Sequence, residues 1–200
     1  AIARALVTGP AIICMDEPLS NLDAKLRVQL RNELKKMQKD FGITTIYVTH
    51  DQTEATTMAD HIVLMKDGHI MQQGTPNDLY DHPANEFVAG FLGTPQINLF
   101  CCDVKQENGS LILDAGAFRL HAPESVREAL TPYAGSKVDL GIRPSDFELA
   151  REGINGIAAH VDSIEPLGDA YLIYVRIGEK VVVFKYTGET APSEKELLLT

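Results

Sequence analysis

Two adjacent carboxylates, Asp16 and Glu17, directly follow a short apolar run at residues 11–15. A continuous apolar run of this kind is typical of a strand that is buried on both faces of a parallel sheet. Ligands of open α/β sheets bind beyond the carboxyl ends of such strands. One carboxylate there could orient a hydrated Mg²⁺ ion, and the other could polarise a water that attacks a phosphate. The alternative is that both acids only begin a solvent-facing turn before Pro18.

A second candidate group, His50, follows another apolar, β-branched segment at residues 44–49. Because the carboxyl ends of parallel strands meet at one edge of a sheet, we expect His50 to lie beside Glu17. An imidazole at that position could donate to a γ-phosphate or orient the attacking water, and the alternative is an ordinary neighbour of a helix cap. Asp23 is the predicted amino-terminal cap of the intervening helix, whatever else it does.

The elements around these groups alternate between strands and helices, which predicts a parallel sheet with helices on its faces. Thr75, with Pro76 and Asp78 after it, forms an acidic variant of the capping box. The apolar opening of the chain predicts a helix over residues 1–8. This helix has no cap and no initiator Met, so we expect the chain to be a piece of something longer. Helices are predicted at residues 24–39, 52–59, from 75, and at 85–92, with a hairpin turn at 66–68.

From about residue 95 the pattern changes to many short strands, which predicts a small β-barrel or sandwich. We therefore expect two domains, 1–95 and 96–200. A last strand begins at Glu196 and stops early, which suggests a divergent or truncated ending. The other strands are predicted at residues 97–106, 110–113, 118–120, 137–142, 157–167, 171–177 and 180–186, with one helix at 123–130.

Charge and cysteine usage narrow the function classes. The formal net charge is −10, and residues 96–200 carry 10 Lys and Arg against 16 Asp and Glu. Nucleic-acid binding needs a basic face, so we exclude nucleic acid as a partner. The three cysteines, Cys14, Cys101 and Cys102, show no disulfide framework and fit a reducing compartment.

Three motifs occur in an order that is specific to one family. IICMDEP (residues 12–18) resembles the Walker B segment of ABC ATPases, SNLDA (20–24) resembles their D-loop, and VTHD (48–51) resembles their H-loop. Residues 61–100 are similar to the end of the ATPase domain in importers for sugars and polyols, of the maltose-importer kind. The resemblance implies an α/β fold class, with a partial parallel-sheet P-loop NTPase domain followed by an all-β OB-like barrel domain.

By the same resemblance, Asp16 would hold Mg²⁺, Glu17 would be the general base and His50 would contact the γ-phosphate of ATP. The loop that contains Ser20 and Asp23 would cross a dimer interface. The implied cofactors are ATP and Mg²⁺. The implied partners are a second ATPase subunit, in a homodimer, and the membrane-spanning permease subunits. The implied location is cytoplasmic and peripheral, on the inner face of the cell membrane.

The sequence also departs from the family pattern. It contains no G-x-x-x-x-G-K-[ST] phosphate loop and no LSGGQ signature. Because phosphate loops dominate nucleotide binding, we predict that this chain alone binds ATP weakly or not at all, although the parent protein would be an ATPase. The alternative function is a non-catalytic regulatory or dimerisation module. We further predict that open strand edges in residues 1–90 pair with another copy or leave this region loosely ordered.

The clearest motif of the second domain is LGIRPSDFEL, at residues 140–149. It resembles a segment of the OB-like regulatory (TOBE) domain of the same importer ATPases, although Ser145 stands where Glu is usual. Gly141 would permit a close backbone approach, Arg143 offers a planar donor fork, and Pro144 sets the exit from the strand.

Two alternatives remain for this domain. Arg143 could contact an effector or could pair internally with Asp139 or Asp146. The strands at residues 171–177 and 180–186 are rich in Val, Ile and Tyr. They could supply a two-fold interface or bury their apolar face in their own barrel.

Overall fold

A computed structural model describes residues 9–150 and 156–200, and within them the chain is a mixture of helix and sheet with a strand-rich second part. The chain divides into two compact units, Ala1–Gly93 and Thr94–Thr200. The helix that we expect over residues 1–8 lies outside the described residues. Among the helices that are described, none is long and apolar enough to cross a membrane.

The first unit begins with two parallel strands, β1 (Ile12–Asp16) and β2 (Thr44–Val48). Helix α1 (Ala24–Phe41) joins them and is capped at its start by the side chain of Asp23, as predicted. It ends at Gly42, whose φ of 60° is left-handed and therefore favours glycine. Helix α2 (Gln52–Met58) follows β2.

Burial of β1 and β2 on both faces was predicted and is wrong for the described residues. Ile13 is 6% exposed, whereas Ile12, Ile46 and Val48 are 59%, 54% and 52% exposed. Side chains of a strand alternate between the faces, so this pair has one partly buried face and one open face. The apolar pattern reports that a face suits burial but does not report what covers it.

A hairpin and two short helices complete the unit: β3 (Ile62–Lys66), β4 (His69–Gly74), α3 (Pro76–Asp81) and α4 (Glu86–Phe91). Asp67 and Gly68 at the turn both have positive φ, 51° and 78°, as a tight hairpin turn requires. Thr75 and Asp78 cap each other's backbone N–H, so the predicted capping box is confirmed. The buried core of this part consists of Ile62, Leu64, Leu79, Val88 and Leu92.

In the second unit, residues 94–150 and 156–200 form two four-stranded antiparallel sheets. The first comprises β5 (Asn98–Glu107), β6 (Ser110–Asp114), β7 (Arg119–His121) and β8 (Lys137–Ile142), in the order β7-β6-β5-β8. The second comprises β9 (Ile157–Pro166), β10 (Tyr171–Ile177), β11 (Lys180–Tyr186) and β12 (Glu196–Leu199), in the order β11-β10-β9-β12. Helix α5 (Glu124–Leu130) lies between β7 and β8 in sequence.

One hydrophobic core joins both sheets. The rings of Phe100 and Phe118 meet edge to face with centroids 4.9 Å apart. Ile173, Val175 and Phe184 are fully buried, so β10 and β11 direct their apolar faces into their own unit. This is the second of the two alternatives stated for these strands.

Asn98, the first residue of β5, forms a polar link between the sheets. Its side-chain amide donates to the carbonyl oxygens of Ile142 (3.2 Å) and Val183 (2.8 Å) and accepts from the N–H of Val183 (3.0 Å). Asn98 is only 7% exposed. A buried amide with all these partners specifies how β8 and β11 sit relative to β5.

Candidate functional site

Glu17 and His50 lie together at the carboxyl ends of the two parallel strands. Asp16 pairs with Val48 in the strand register, and the next N–H, that of Glu17, donates to the carbonyl of Val48 (2.9 Å). This register brings the His50 imidazole to the Glu17 carboxylate, with 2.8 Å between Nδ1 and Oε1. The imidazole Nδ1–H donates and the carboxylate accepts, so the two groups can share a proton or orient one water.

Glu17 has a strained backbone. Its φ of 43° is in the left-handed region, which non-glycine residues seldom adopt. The Glu17 carbonyl accepts from both the N–H (3.3 Å) and the hydroxyl (3.0 Å) of Ser20, which hold the turn. Strain of this kind costs on the order of 1–3 kcal/mol and clusters at functional sites. The turn directs the Glu17 side chain toward His50.

The Glu17–His50 pair is open to solvent. The side chains of His50 and Glu17 are 74% and 45% exposed. The hydrogen bond with Glu17, and then its negative charge, raise the pKa of His50 above its ordinary value. A protonated His50 can therefore persist to a higher pH than an isolated histidine and can donate to an anionic ligand from its other nitrogen.

Asp51, the residue after His50, links the loop that follows β2 to the loop that follows β1. Its carboxylate accepts from the N–H of Glu54 (3.1 Å) as the cap of α2, and from the Arg27 guanidinium (3.3 Å). Partial burial opposes ionisation, but backbone N–H donors and Arg27 outweigh it and lower the pKa of Asp51. Arg27 also donates to the carbonyls of Ser20 (3.4 Å) and Leu22 (3.2 Å).

A buried carboxylate, that of Glu54, anchors the loop that contains His50. Glu54 is 3% exposed and accepts from the hydroxyls of Tyr47 (3.0 Å) and Thr49 (2.8 Å). Burial, and then the hydrogen bond to Glu54, raise the pKa of Tyr47, so its hydroxyl stays a donor. The Thr49 hydroxyl in turn accepts from the N–H of Asp51 (3.0 Å). Both neighbours of His50 are thereby anchored.

Sequence reasoning missed Arg27 and Glu54. Asp51 followed three residues later by Glu54 is an amino-cap pattern that could have indicated the local bonds. Arg27 had no such signal, because its partners lie on two other segments. Arg27 and Glu54 both line a cavity of about 70 Å³ at the site. Its lining residues are Glu17, Ser20, Arg27, Thr49, His50, Asp51 and Glu54.

Two further predicted residues of the first unit, Asp16 and Asp23, are not among the residues that line this cavity. Asp16 ends β1 with an exposed side chain. Asp23 accepts from the N–H of Leu26 (3.0 Å) and thus acts as a helix cap. Among the described residues, no group of three or more His, Cys, Asp and Glu side chains could hold a metal ion without other ligands.

The predicted residues of the second unit lie at the end of β8 and just after it. A Cβ added to Gly141 would be 2.7 Å from Cδ1 of Ile97, so the side chain of Ile97 lies close to the backbone of Gly141. Arg143 is only 7% exposed. The carbonyl of Pro144 accepts from the N–H of Lys185 (2.7 Å), which ties this turn to β11.

Two family models match the second part of the chain. Residues 93–147 match the model described as the MalK OB fold domain, and residues 140–196 match the TOBE domain. The two matches together span residues 93–196, which is slightly more than half of the 200 residues.

Curated relatives extend the similarity over nearly the whole chain. It is 44% identical over 97% of its length to the trehalose/maltose import ATP-binding protein MalK of Thermococcus litoralis. It is 42% identical over 92% to the lactose transport ATP-binding protein LacK of Rhizobium radiobacter. It is 43% identical over 91% to the sn-glycerol-3-phosphate import ATP-binding protein UgpC of Chromobacterium violaceum. The chain covers 54%, 51% and 48% of these proteins, and so spans about half the length of the curated relatives it matches.

Proposed function

Since this chain belongs to the family of ABC-importer ATP-binding subunits that includes MalK, we propose that it forms part of an ATP-hydrolysing, energy-coupling subunit for the import of carbohydrates or related solutes. The observation that carries the proposal is the 2.8 Å contact between Glu17 and His50 at adjacent carboxyl ends of β1 and β2. Residues 1–95 would be part of a P-loop NTPase domain, which accounts for the open face of the β1–β2 pair. Residues 96–200 would be its OB/TOBE-like regulatory domain.

The site residues fit a nucleotide whose phosphates bring most of the metal ligands. Asp16 is an exposed carboxylate at the end of a strand, and one such ligand suffices for Mg²⁺, which retains several waters. Bound Mg²⁺ would neutralise phosphate charge. Glu17 would accept the proton of the attacking water, as a general base. His50 would hold the Glu17 carboxylate in place through Nδ1 and donate to the γ-phosphate through its other nitrogen.

The remaining roles follow from position. The loop with Ser20 and Asp23 would contact a second ATPase subunit in a homodimer, while Ser20 also holds the Glu17 turn. Membrane-spanning permease subunits would be the other partners, which implies a place on the cytoplasmic face of the membrane. Gly141, Arg143 and Pro144 would shape the regulatory domain, since Arg143 is buried and Pro144 is bonded to β11.

The proposed solute is a class of compounds, carbohydrates and related solutes. The three relatives are named for trehalose and maltose, lactose, and sn-glycerol-3-phosphate. Similar identity to proteins with such different solutes indicates that residues outside this region select the solute. The same reasoning supports a general coupling role for this chain.

A chimera tests the proposed role of Glu17. The 200 residues would replace the matching part of the Thermococcus litoralis MalK, and ATP hydrolysis and ATP binding would be measured. Glu17→Gln should reduce turnover by about 10²–10⁴-fold without weakening ATP binding, since loss of a general base slows the chemical step. Glu33→Gln, the same change on the exposed surface of α1, is the matched control. Undiminished turnover in Glu17→Gln would remove Glu17 from the mechanism.

A second candidate function is a regulatory or dimerisation module, favoured by the two domain matches in residues 93–196. Titration calorimetry of the 200-residue chain with Mg·ATP tests whether the chain alone holds a complete nucleotide site. We expect weak binding or none, because the chain has no phosphate loop. Tight one-site binding would contradict this expectation and would favour an active site complete within the chain.

A further inference from the structure

One guanidinium contacts both loops of the candidate site. Arg27 lies in the first turn of α1, where its N–H donates to the carbonyl of Asp23 (2.9 Å). Its Nη1 donates to Asp51 on the loop after β2 (3.3 Å). Its Nη2 donates to the carbonyls of Ser20 and Leu22 on the loop after β1 (3.4 and 3.2 Å). In the sequence, the loop after β1 and the loop after β2 are separated by helix α1 and strand β2.

The geometry of this contact requires arginine. A guanidinium is a rigid planar fork with separate donors, whereas a lysine ammonium is a single point on a flexible stem. One fork arm of Arg27 serves a carboxylate and the other serves two carbonyls. Lysine would keep the charge and reach one loop, but it would not hold both loops in a defined relation.

A contribution to stability alone explains the Arg27 contact poorly. The three donor–acceptor distances of Arg27 are 3.2–3.4 Å, at the long end for N–H···O bonds. Its Nε is shielded from solvent and finds no acceptor among residues 9–150 and 156–200. A shielded donor without an acceptor costs free energy, so a purely stabilising role explains the residue poorly.

The Asp51 side of the contact is firmly anchored. The carboxylate of Asp51 caps α2 at Glu54, and the Asp51 N–H donates to Thr49, whose hydroxyl donates to Glu54. His50 lies between these anchored neighbours. If the Ser20–Leu22 segment were displaced, the bonds of Arg27 would therefore carry that displacement to the backbone around His50.

We infer that Arg27 is a positioning residue that couples the loop of Ser20 and Asp23 to the loop of His50, so that the two loops move as one body. The inference rests on the proposed function only in that both loops would serve one nucleotide site. A partner surface that moved the first loop would thereby also move the histidine that would face the γ-phosphate. The guanidinium of Arg27 bonds to Asp51, Ser20 and Leu22, and within the described part of the chain it makes no hydrogen bond to Glu17 or His50.

The test is a double-mutant cycle, read by amide NMR on the 200-residue chain without nucleotide. Asp51→Asn keeps the helix cap and removes the charge that Arg27 contacts. We expect it to shift the amide resonances of Ser20, Asn21 and Leu22. In an Arg27→Lys background, the shift caused by Asp51→Asn should fall to less than about half of its native size. The effects of two substitutions are non-additive when the two residues interact, and Arg27 is the residue through which Asp51 would act on this segment. An Arg31→Lys background, changed one turn further along α1, should leave the shift intact.

Two results would overturn the inference. One is a Ser20–Leu22 shift that is the same in the Arg27→Lys and native backgrounds, and the other is no shift in the native background. If Arg27→Lys gives no folded spectrum, acid titration of the native chain decides. The Leu22 and Glu54 amides should then move with one midpoint, that of Asp51, and different midpoints would refute the coupling. The NMR cycle uses no nucleotide, so it is independent of the ATPase assay. If Arg27→Lys reduces the shift but the chimera does not hydrolyse ATP, only the proposed function is contradicted. If the chimera hydrolyses ATP but Arg27→Lys leaves the shift unchanged, only the coupling is contradicted.

Discussion

Replacing Asn98 by alanine should weaken the second unit where its two sheets meet. The side chain makes three hydrogen bonds, to the Ile142 carbonyl and to both backbone groups of Val183. A net contribution of about 1 kcal/mol each, with a further penalty for the Val183 N–H left without its acceptor, gives about 2–4 kcal/mol. That is a large share of the stability of a domain, which is about 5–15 kcal/mol.

Amide hydrogen exchange measures this change within the second unit. We follow the fully buried core positions Val175 and Phe184, whose amides we expect to exchange only when the unit opens. A loss of about 2–4 kcal/mol predicts exchange about 30-fold to 10³-fold faster in Asn98→Ala, at about 1.36 kcal/mol per factor of ten. Gln106→Ala, on the exposed part of the same strand, is the control and should change stability by less than about 0.5 kcal/mol. Exchange in Asn98→Ala within about threefold of the native rate would refute the assigned role.

Three further predictions concern the site and the turns. Glu17→Gln should return the raised pKa of His50 toward its ordinary value in an imidazole NMR titration. The sign follows from linkage: the pair stabilises the fold below the ordinary histidine pKa, and this contribution is lost as pH rises through the raised pKa of the folded chain. An unchanged pKa in Glu17→Gln would contradict the contact. Gly178→Ala should lower the urea midpoint, at a cost of about 1–3 kcal/mol, because φ is 59° and the added Cβ would be 2.8 Å from that of Ala117. Asp23→Ala should cost about 1 kcal/mol in the same assay and Asp23→Asn much less, and equal losses would argue against capping.

Local chemistry made much of the site predictable. An acidic pair after an apolar run, and a histidine after a second one, indicated that Glu17 and His50 lie at neighbouring strand ends. The cap at Asp23 and the capping box at Thr75 and Asp78 followed from residue types at fixed spacing. These features depend on neighbours within a few residues, so a single sequence contains the necessary information.

Other features depend on contacts between distant segments. The predicted burial of β1 and β2 on both faces was wrong, since Ile12 and Ile46 are more than half exposed. The side chain that lies close to Gly141 belongs to Ile97, on another segment of the chain. Hydrophobic patterns state a preference for burial, while the actual cover depends on which elements pack there.

By itself, the sequence determined the order of the helices and strands, the positions of several caps and turns, and the residue types of the candidate site. Only the tertiary structure decided that Arg27 reaches two loops, that Glu54 is a buried anchor, and that Asn98 links two sheets. The physical reason is the range of the interactions. Caps and turns depend on residues three or four positions away, whereas a guanidinium or a buried amide finds its partners only after distant segments have packed together.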